Sequence, residues 1–176
     1  MAIGKFNDIE PKLESGAWVH ESAQVIGEIS IGENSSVWPN VAARGDVNFI
    51  RIGKESNIQD NSTLHVTHKS ESDPAGAPLI IGDRVTVGHA VILHGCTIGN
   101  DCLIGMGAIV LDRAVIEDRV MVGAGSLVPP GKVLRSGYLY VGSPVKEIRP
   151  LSEGELAGFA YSANNYVKLM KQYRDA

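Results

Sequence analysis

Four of the five histidines, His65, His68, His89 and His94, fall in the stretch 65–94. Imidazole is the commonest protein ligand for a transition metal and exchanges protons near neutral pH. Arg44, Asp46, Gln59, Asp60 and His68 lie close by in sequence and can pair charges, orient a polar substrate and carry protons. His65 directly follows Leu64 and His94 directly follows Leu93, so the two occupy the same place relative to an aliphatic residue. His89 stands two places after Val87. Whether these groups act together depends on the elements that position them.

The 176 residues suit a single domain over 1–176, and 44% hydrophobic with 20% charged residues is an ordinary globular balance. Twenty glycines with only 6% aromatics point to an aliphatic core and many tight corners, which favours repeated β structure. A net charge of −4 and a pI near 5.7 give no footprint for nucleic acid, so a small molecule is the expected substrate. The stretch from Met1 to Gly16 is interrupted by Lys5, Asp8, Glu10, Lys12 and Glu14, leaving neither a signal peptide nor a membrane span, and a cytoplasmic location is expected. Cys96 and Cys102 are too few for a disulfide framework and are read as small buried hydrophobes.

Aliphatic residues recur every six positions: Val19, Val25, Ile31 and Val37; Ile52, Ile58 and Leu64; Ile81, Val87 and Leu93; then Ile98 through Leu134. Small or β-branched residues such as Ser35, Ser56, Ser62, Val85 and Ala108 stand four places after them. A helix needs a period near 3.6 and a half-buried strand a period of 2, so neither fits. A short strand plus a corner for each hexapeptide does fit, three units closing a triangular coil whose successors stack as parallel strands. The expected architecture is an all-β solenoid over about residues 19 to 140. The pattern then changes at Pro144 and Pro150, and a Ser152-x-x-Glu155 capping box precedes Leu156, Phe159, Ala163, Tyr166, Val167, Met170 and Tyr173 at helical spacing. One α-helix over about 153 to 173 is expected, packed alongside the solenoid.

A solenoid keeps its period where only stacking matters, so its interruptions are candidate sites. There are three: the nine-residue step from Ala43 to Ile52, an eleven-residue insertion around Thr67 to Pro78, and the short step from Leu93 to Ile98. Removing the eleven inserted residues from the 29 that separate His65 and His94 leaves 18, one complete coil. The two imidazoles are therefore expected to stack about 4.8 Å apart, close enough to converge on one ion. His89 falls on the preceding face and can join them only from another subunit.

The repeat resembles the left-handed parallel β-helix of the hexapeptide-repeat proteins, and its left hand is implied by that resemblance alone. Ala-Arg-Gly-Asp at 43–46, Asn-Ile-Gln-Asp-Asn at 57–61, Val-Gly-His-Ala-Val-Ile-Leu-His-Gly-Cys at 87–96 and the C-terminal Gly-Ser-Pro-Val-Lys and Ser-Ala-Asn-Asn-Tyr segments resemble the γ-class carbonic anhydrases. The resemblance implies a homotrimer in which His65 and His94 of one subunit and His89 of its neighbour bind a catalytic ion. Zinc is the default, and ferrous iron and cobalt also suit three imidazoles. It further implies that Gln59 hydrogen-bonds the metal-bound hydroxide and that Arg44 sits at the interface, paired with Asp46 or Asp60, orienting bicarbonate. Tyr166 matches a segment near the cleft, and ordinary helix packing accounts for it as well. Arg44, Asp46 and Asp60 are equally readable as an ion-pair network that holds the trimer.

The implied reaction is hydration of carbon dioxide to bicarbonate. Of two glutamates proposed as proton shuttles in the best-known members, one position matches Val47, which carries no proton, and the other matches His68, which can. Fast turnover is therefore not implied. Acyl transfer or thioester hydrolysis is the alternative enzyme class on this fold, and a non-catalytic metal-binding trimer is the third reading.

Overall fold

The structure is a computed structural model describing residues 2–175; Met1 and Ala176, the ends of the expected single-domain span, lie outside the described residues. The chain winds into a left-handed parallel β-solenoid of about eight turns with a single C-terminal helix. Its three faces are parallel ladders. One runs Gln24, Ala42, Thr63, Ile92, Ile109, Leu127. The second runs Lys12, Ser30, Arg51, Ile80, Thr97, Val115, Val133. The third runs Trp18, Ser36, Asn57, Thr86, Leu103, Met121, Leu139.

Each of these residues points outward. The next residue in most rungs, the aliphatic member of the hexapeptide, points inward, and Leu64, Leu93, Ile81, Ile98, Ile58 and Ile104 are among those fully buried. Filling the interior with aliphatic layers supplies the hydrophobic drive that a chain poor in rings would otherwise lack. The small residues four places on are buried at the corners. There the serines replace lost water bonds: Ser56 Oγ donates to the Gly82 carbonyl and accepts from the Val85 amide, at 2.8 and 2.9 Å. A second ladder runs outside, where Asp83 accepts from the Lys54 amide, Asn100 from Asp83 and Asp118 from Asn100, at 2.8, 2.8 and 2.7 Å. Gly82 fits this corner because a Cβ there would lie 2.7 Å from Asn100 Oδ1.

The solenoid begins earlier than the hexapeptide pattern suggests. Ile3–Gly4 and Lys12–Leu13 both pair with the strand Gln24–Ile31, closing the first coil. The first interruption is also different from a loop: Ala42–Ile52 is one continuous strand that spans a corner, with its register shift opposite Gly27 and Ile29. At the other end Tyr138–Gly142 and Val145–Pro150 form an antiparallel hairpin, where the sequence suggested only a change of character.

The helix spans Glu153–Arg174 and lies over the third face. Phe159, Ala163 and Met170 are buried beneath it, while Tyr166 and Tyr173 pack edge-on against Trp38 at 5.4 and 5.2 Å. Leu156, in the first turn, stays exposed. The capping box forms, with Ser152 accepting from the Glu155 amide and the Glu155 carboxylate accepting from the Ser152 amide. Ser152→Ala should cost about 1 kcal/mol, visible as faster amide exchange in the first two turns. Arg149, followed by the Ser152 amide and hydroxyl, pulls the Glu155 carboxyl from 4.5 to about 2. Since the folded value is the lower one, this contribution is present above pH 4.5 and is lost as pH falls toward 2. Ser152→Ala keeps Arg149 and the backbone amide and loses mainly the cap bond from the Glu155 amide to Ser152 Oγ, which does not titrate, so most of its cost should persist in acid.

Candidate metal centre

The strands Thr63–His65 and Ile92–His94 are adjacent and in register, so His65 and His94 are direct Cα partners. Their rings lie 5.1 Å apart, close to one strand spacing, and His65 Nδ1 faces His94 Nε2 at 3.1 Å. The outward nitrogens meet carboxylates: His65 Nε2 lies 3.1 Å from Asp46 Oδ1 and His94 Nδ1 lies 2.7 Å from Asp112 Oδ1. An ionised carboxylate only accepts, so each outward nitrogen is the donor in its contact. When both rings are neutral, the two inward nitrogens turn lone pairs on each other, an arrangement that a cation between them relieves. Two nitrogens bound to one tetrahedral zinc lie about 3.3 Å apart, so the pair fits an ion.

Electrostatics act on His65 and Asp46. Burial lowers the pKa of His65, and the charge of Arg44 adds to the effect against the raising influence of Asp46, which favours the neutral ligand form. Burial works to raise the Asp46 carboxyl, but hydrogen bonds from Arg44 and His65 outweigh it and hold the group below its usual range. Arg44 thus pairs with Asp46 rather than with Asp60, and remains exposed beyond it.

His89 lies elsewhere. It occupies the corner between Thr86–Val87 and Ile92–His94, so the chain passes it on entering the first face and passes His94 on leaving. The two are five positions apart, with the turn at Ala90 between them. Among the described residues, no three histidine, cysteine or carboxylate side chains of one chain converge as a metal cluster. His89 is built like the other two, with Nδ1 held 2.9 Å from Asp60 Oδ2 and the ring about half exposed.

The remaining candidates divide between these two edges. Gln59 is buried on the helix side and donates through Nε2 to Asn57 Oδ1 at 3.1 Å. Tyr166 is half-buried against Trp38, and burial together with the charge of Asp60 raises its pKa, so the phenol keeps its proton. His68 is exposed at the start of the inserted loop, and the His20 ring hydrogen-bonds Ser22 and packs edge-on against Trp18. Burial pushes both cysteine thiols up to about 12, in keeping with inert packing residues. Asp112 was missed by sequence reasoning. It lies 18 residues after His94, one coil on, and that spacing was the available signal.

A hexapeptide-repeat solenoid with a paired-histidine edge and a single-histidine edge defines the class of protein. The profile described as "Bacterial transferase hexapeptide (six repeats)" matches residues 78–112 and 95–130. Protein YrdA of Escherichia coli is 56% identical over 97% of this chain and 92% of its own length. A protein named "Probable carbonic anhydrase" from Methanocaldococcus jannaschii is 39% identical over 86% of this chain and 91% of its own. "Gamma carbonic anhydrase 1, mitochondrial" of Arabidopsis thaliana is 43% identical over 94% of this chain and 60% of its own, so relatives bear the name of another compartment than the one expected from sequence. Among solved structures, a hexapeptide transferase family protein from Anaplasma phagocytophilum superposes with a TM-score of 0.91 at 40% identity, covering 98% of each chain. A putative acetyltransferase from Bacillus cereus gives the same score and identity, covering 98% of this chain and 96% of its own. The chain belongs to the γ-carbonic-anhydrase-like hexapeptide-repeat family. Among the described residues no helix is long and apolar enough to cross a membrane.

Proposed function

We propose that this protein is a metal-dependent hydratase that converts carbon dioxide to bicarbonate at sites shared between the subunits of a homotrimer. The observation that carries the reading is the 3.1 Å approach of His65 Nδ1 and His94 Nε2 with both outward nitrogens on carboxylates. His89 of a neighbouring copy is the third ligand. The two half-sites flank one face whose outward residues Ala42, Thr63, Ile92, Ile109 and Leu127 are uncharged. Such complementary edges favour a head-to-tail contact that closes as a ring. Three imidazoles suit zinc, with ferrous iron and cobalt as competitors for the same donors.

When bound, the ion supplies the Lewis acidity that makes hydroxide available near neutral pH. The chain does the rest. Asp46 and Asp60 fix the orientations of the His65 and His89 rings. Arg44, exposed beyond Asp46, offers its remaining donors to a bicarbonate anion. Gln59 and Tyr166 contribute polar groups from the His89 side of the interface. His68, exposed three residues after His65, exchanges the released proton with buffer. Zinc-loaded protein should accelerate carbon dioxide hydration above the zinc blank, and chelation should remove the acceleration.

The transferase names of the structural relatives support a second reading, acyl transfer or thioester hydrolysis at the same centre. A panel of acyl thioesters assayed beside carbon dioxide decides between them. Turnover of thioesters with none of carbon dioxide would overturn the hydratase reading.

A further inference from the structure

We propose that Asp112 is a positioning residue that fixes the orientation and tautomer of His94, and that the inserted loop 67–77 exists to hold Asp112 there. The inference rests on the metal reading of the histidine pair. Asp112 Oδ1 meets His94 Nδ1 at 2.7 Å and accepts from Thr67 Oγ1 at 3.1 Å. Thr67 opens the loop, bridges to Ala77 at its close and is fastened from below by Asn48. The Asn48 side chain is 6% exposed and donates to the carbonyls of Thr67 and Ala75 at 3.1 and 2.9 Å. Arg113, next to Asp112, pairs with Asp73 near the loop tip. The loop therefore touches Asp112 directly and its neighbour by an ion pair.

Gly95 supplies an independent observation. It follows His94 with a φ of +53°, and a Cβ built there would lie 2.2 Å from Asp112 Oδ1. Any side chain at that position would occupy the space through which the carboxylate reaches the imidazole. A His-Gly pair followed one coil later by aspartate is thus one geometric unit, and Asn48 and Thr67 are its outer support.

Two readouts test this, one of them independent of metal. In metal-free protein, nitrogen resonances of the His94 ring should report a proton on Nδ1 in wild type, and Asp112→Leu should lose that preference. Asp112→Asn keeps an acceptor and should restore the tautomer without the charge. In competition with a chelator, Asp112→Leu should bind zinc about 10- to 100-fold more weakly, with Asp112→Asn between. Asn48→Ala should also weaken zinc binding, although it touches no ligand. Wild-type tautomer and wild-type affinity in both Asp112 variants would overturn the proposal. If wild type takes up no zinc, the metal reading fails. The tautomer still decides Asp112, upholding the orientation if Asp112→Leu changes it and overturning it if not.

Discussion

Mixed trimers assembled from His65→Ala and His89→Ala chains are expected to regain one complete metal site each, although either homotrimer binds metal poorly. His65→Ala keeps His89 but spoils the pair, and His89→Ala keeps the pair but has no third ligand to lend. In any closed ring holding both chains, one interface sets an intact pair against an intact His89. The Cα register of His65 with His94, and the placement of His89 at the opposite edge of the same face, motivate the experiment. Rings of defined mixture, separated by a charge tag, can be assayed for tightly held zinc and for hydration. Mixed rings as empty as the parents would remove the shared site.

Leu93→Ala should cost about 2–5 kcal/mol, because a fully buried leucine leaves a cavity that the stacked coils cannot collapse. Leu93 sits between Leu64 and Val110 in the inward ladder, and the coils on either side hold their own rungs in place. Chemical denaturation checks the loss. Zinc affinity should fall with it, since His94 is the next residue on the strand. Ile92→Ala is the contrast: that side chain points outward and is 39% exposed, so subunit stability should barely change while association weakens. Equal costs at the two positions would mean that the assigned inward and outward faces are wrong.

The six-residue aliphatic period made the solenoid, its inward residues and the stacking of His65 on His94 legible, because a stacked coil has little freedom once its layers must be filled. The capping box placed the helix for a similar reason, as a local device that needs no distant partner. Features without a period were not legible. Ile3–Gly4 and Lys12–Leu13 join the first coil through backbone pairing, which imposes no residue pattern. The closing hairpin is antiparallel and leaves the hexapeptide rhythm. Asp112 was passed over because an aspartate on a solvent-facing corner looks like any solvated charge. Its spacing of one coil from His94 carries weight only beside the 2.7 Å contact. The choice of Arg44 for Asp46 rather than Asp60 likewise depends on which edge of the face each occupies.

The separation of the pair and the lone histidine onto opposite edges of one face has a thermodynamic corollary. With a shared site, a lone subunit offers an ion two imidazoles at one edge and one at the other, whereas a closed ring offers three at every junction. Metal uptake and subunit association then become linked equilibria. Dilution should loosen the ion, and the ion should in turn draw dilute subunits together. An affinity quoted without the protein concentration would describe a mixture of states. Scarcity of metal in a cell would regulate the quaternary structure as well as the chemistry.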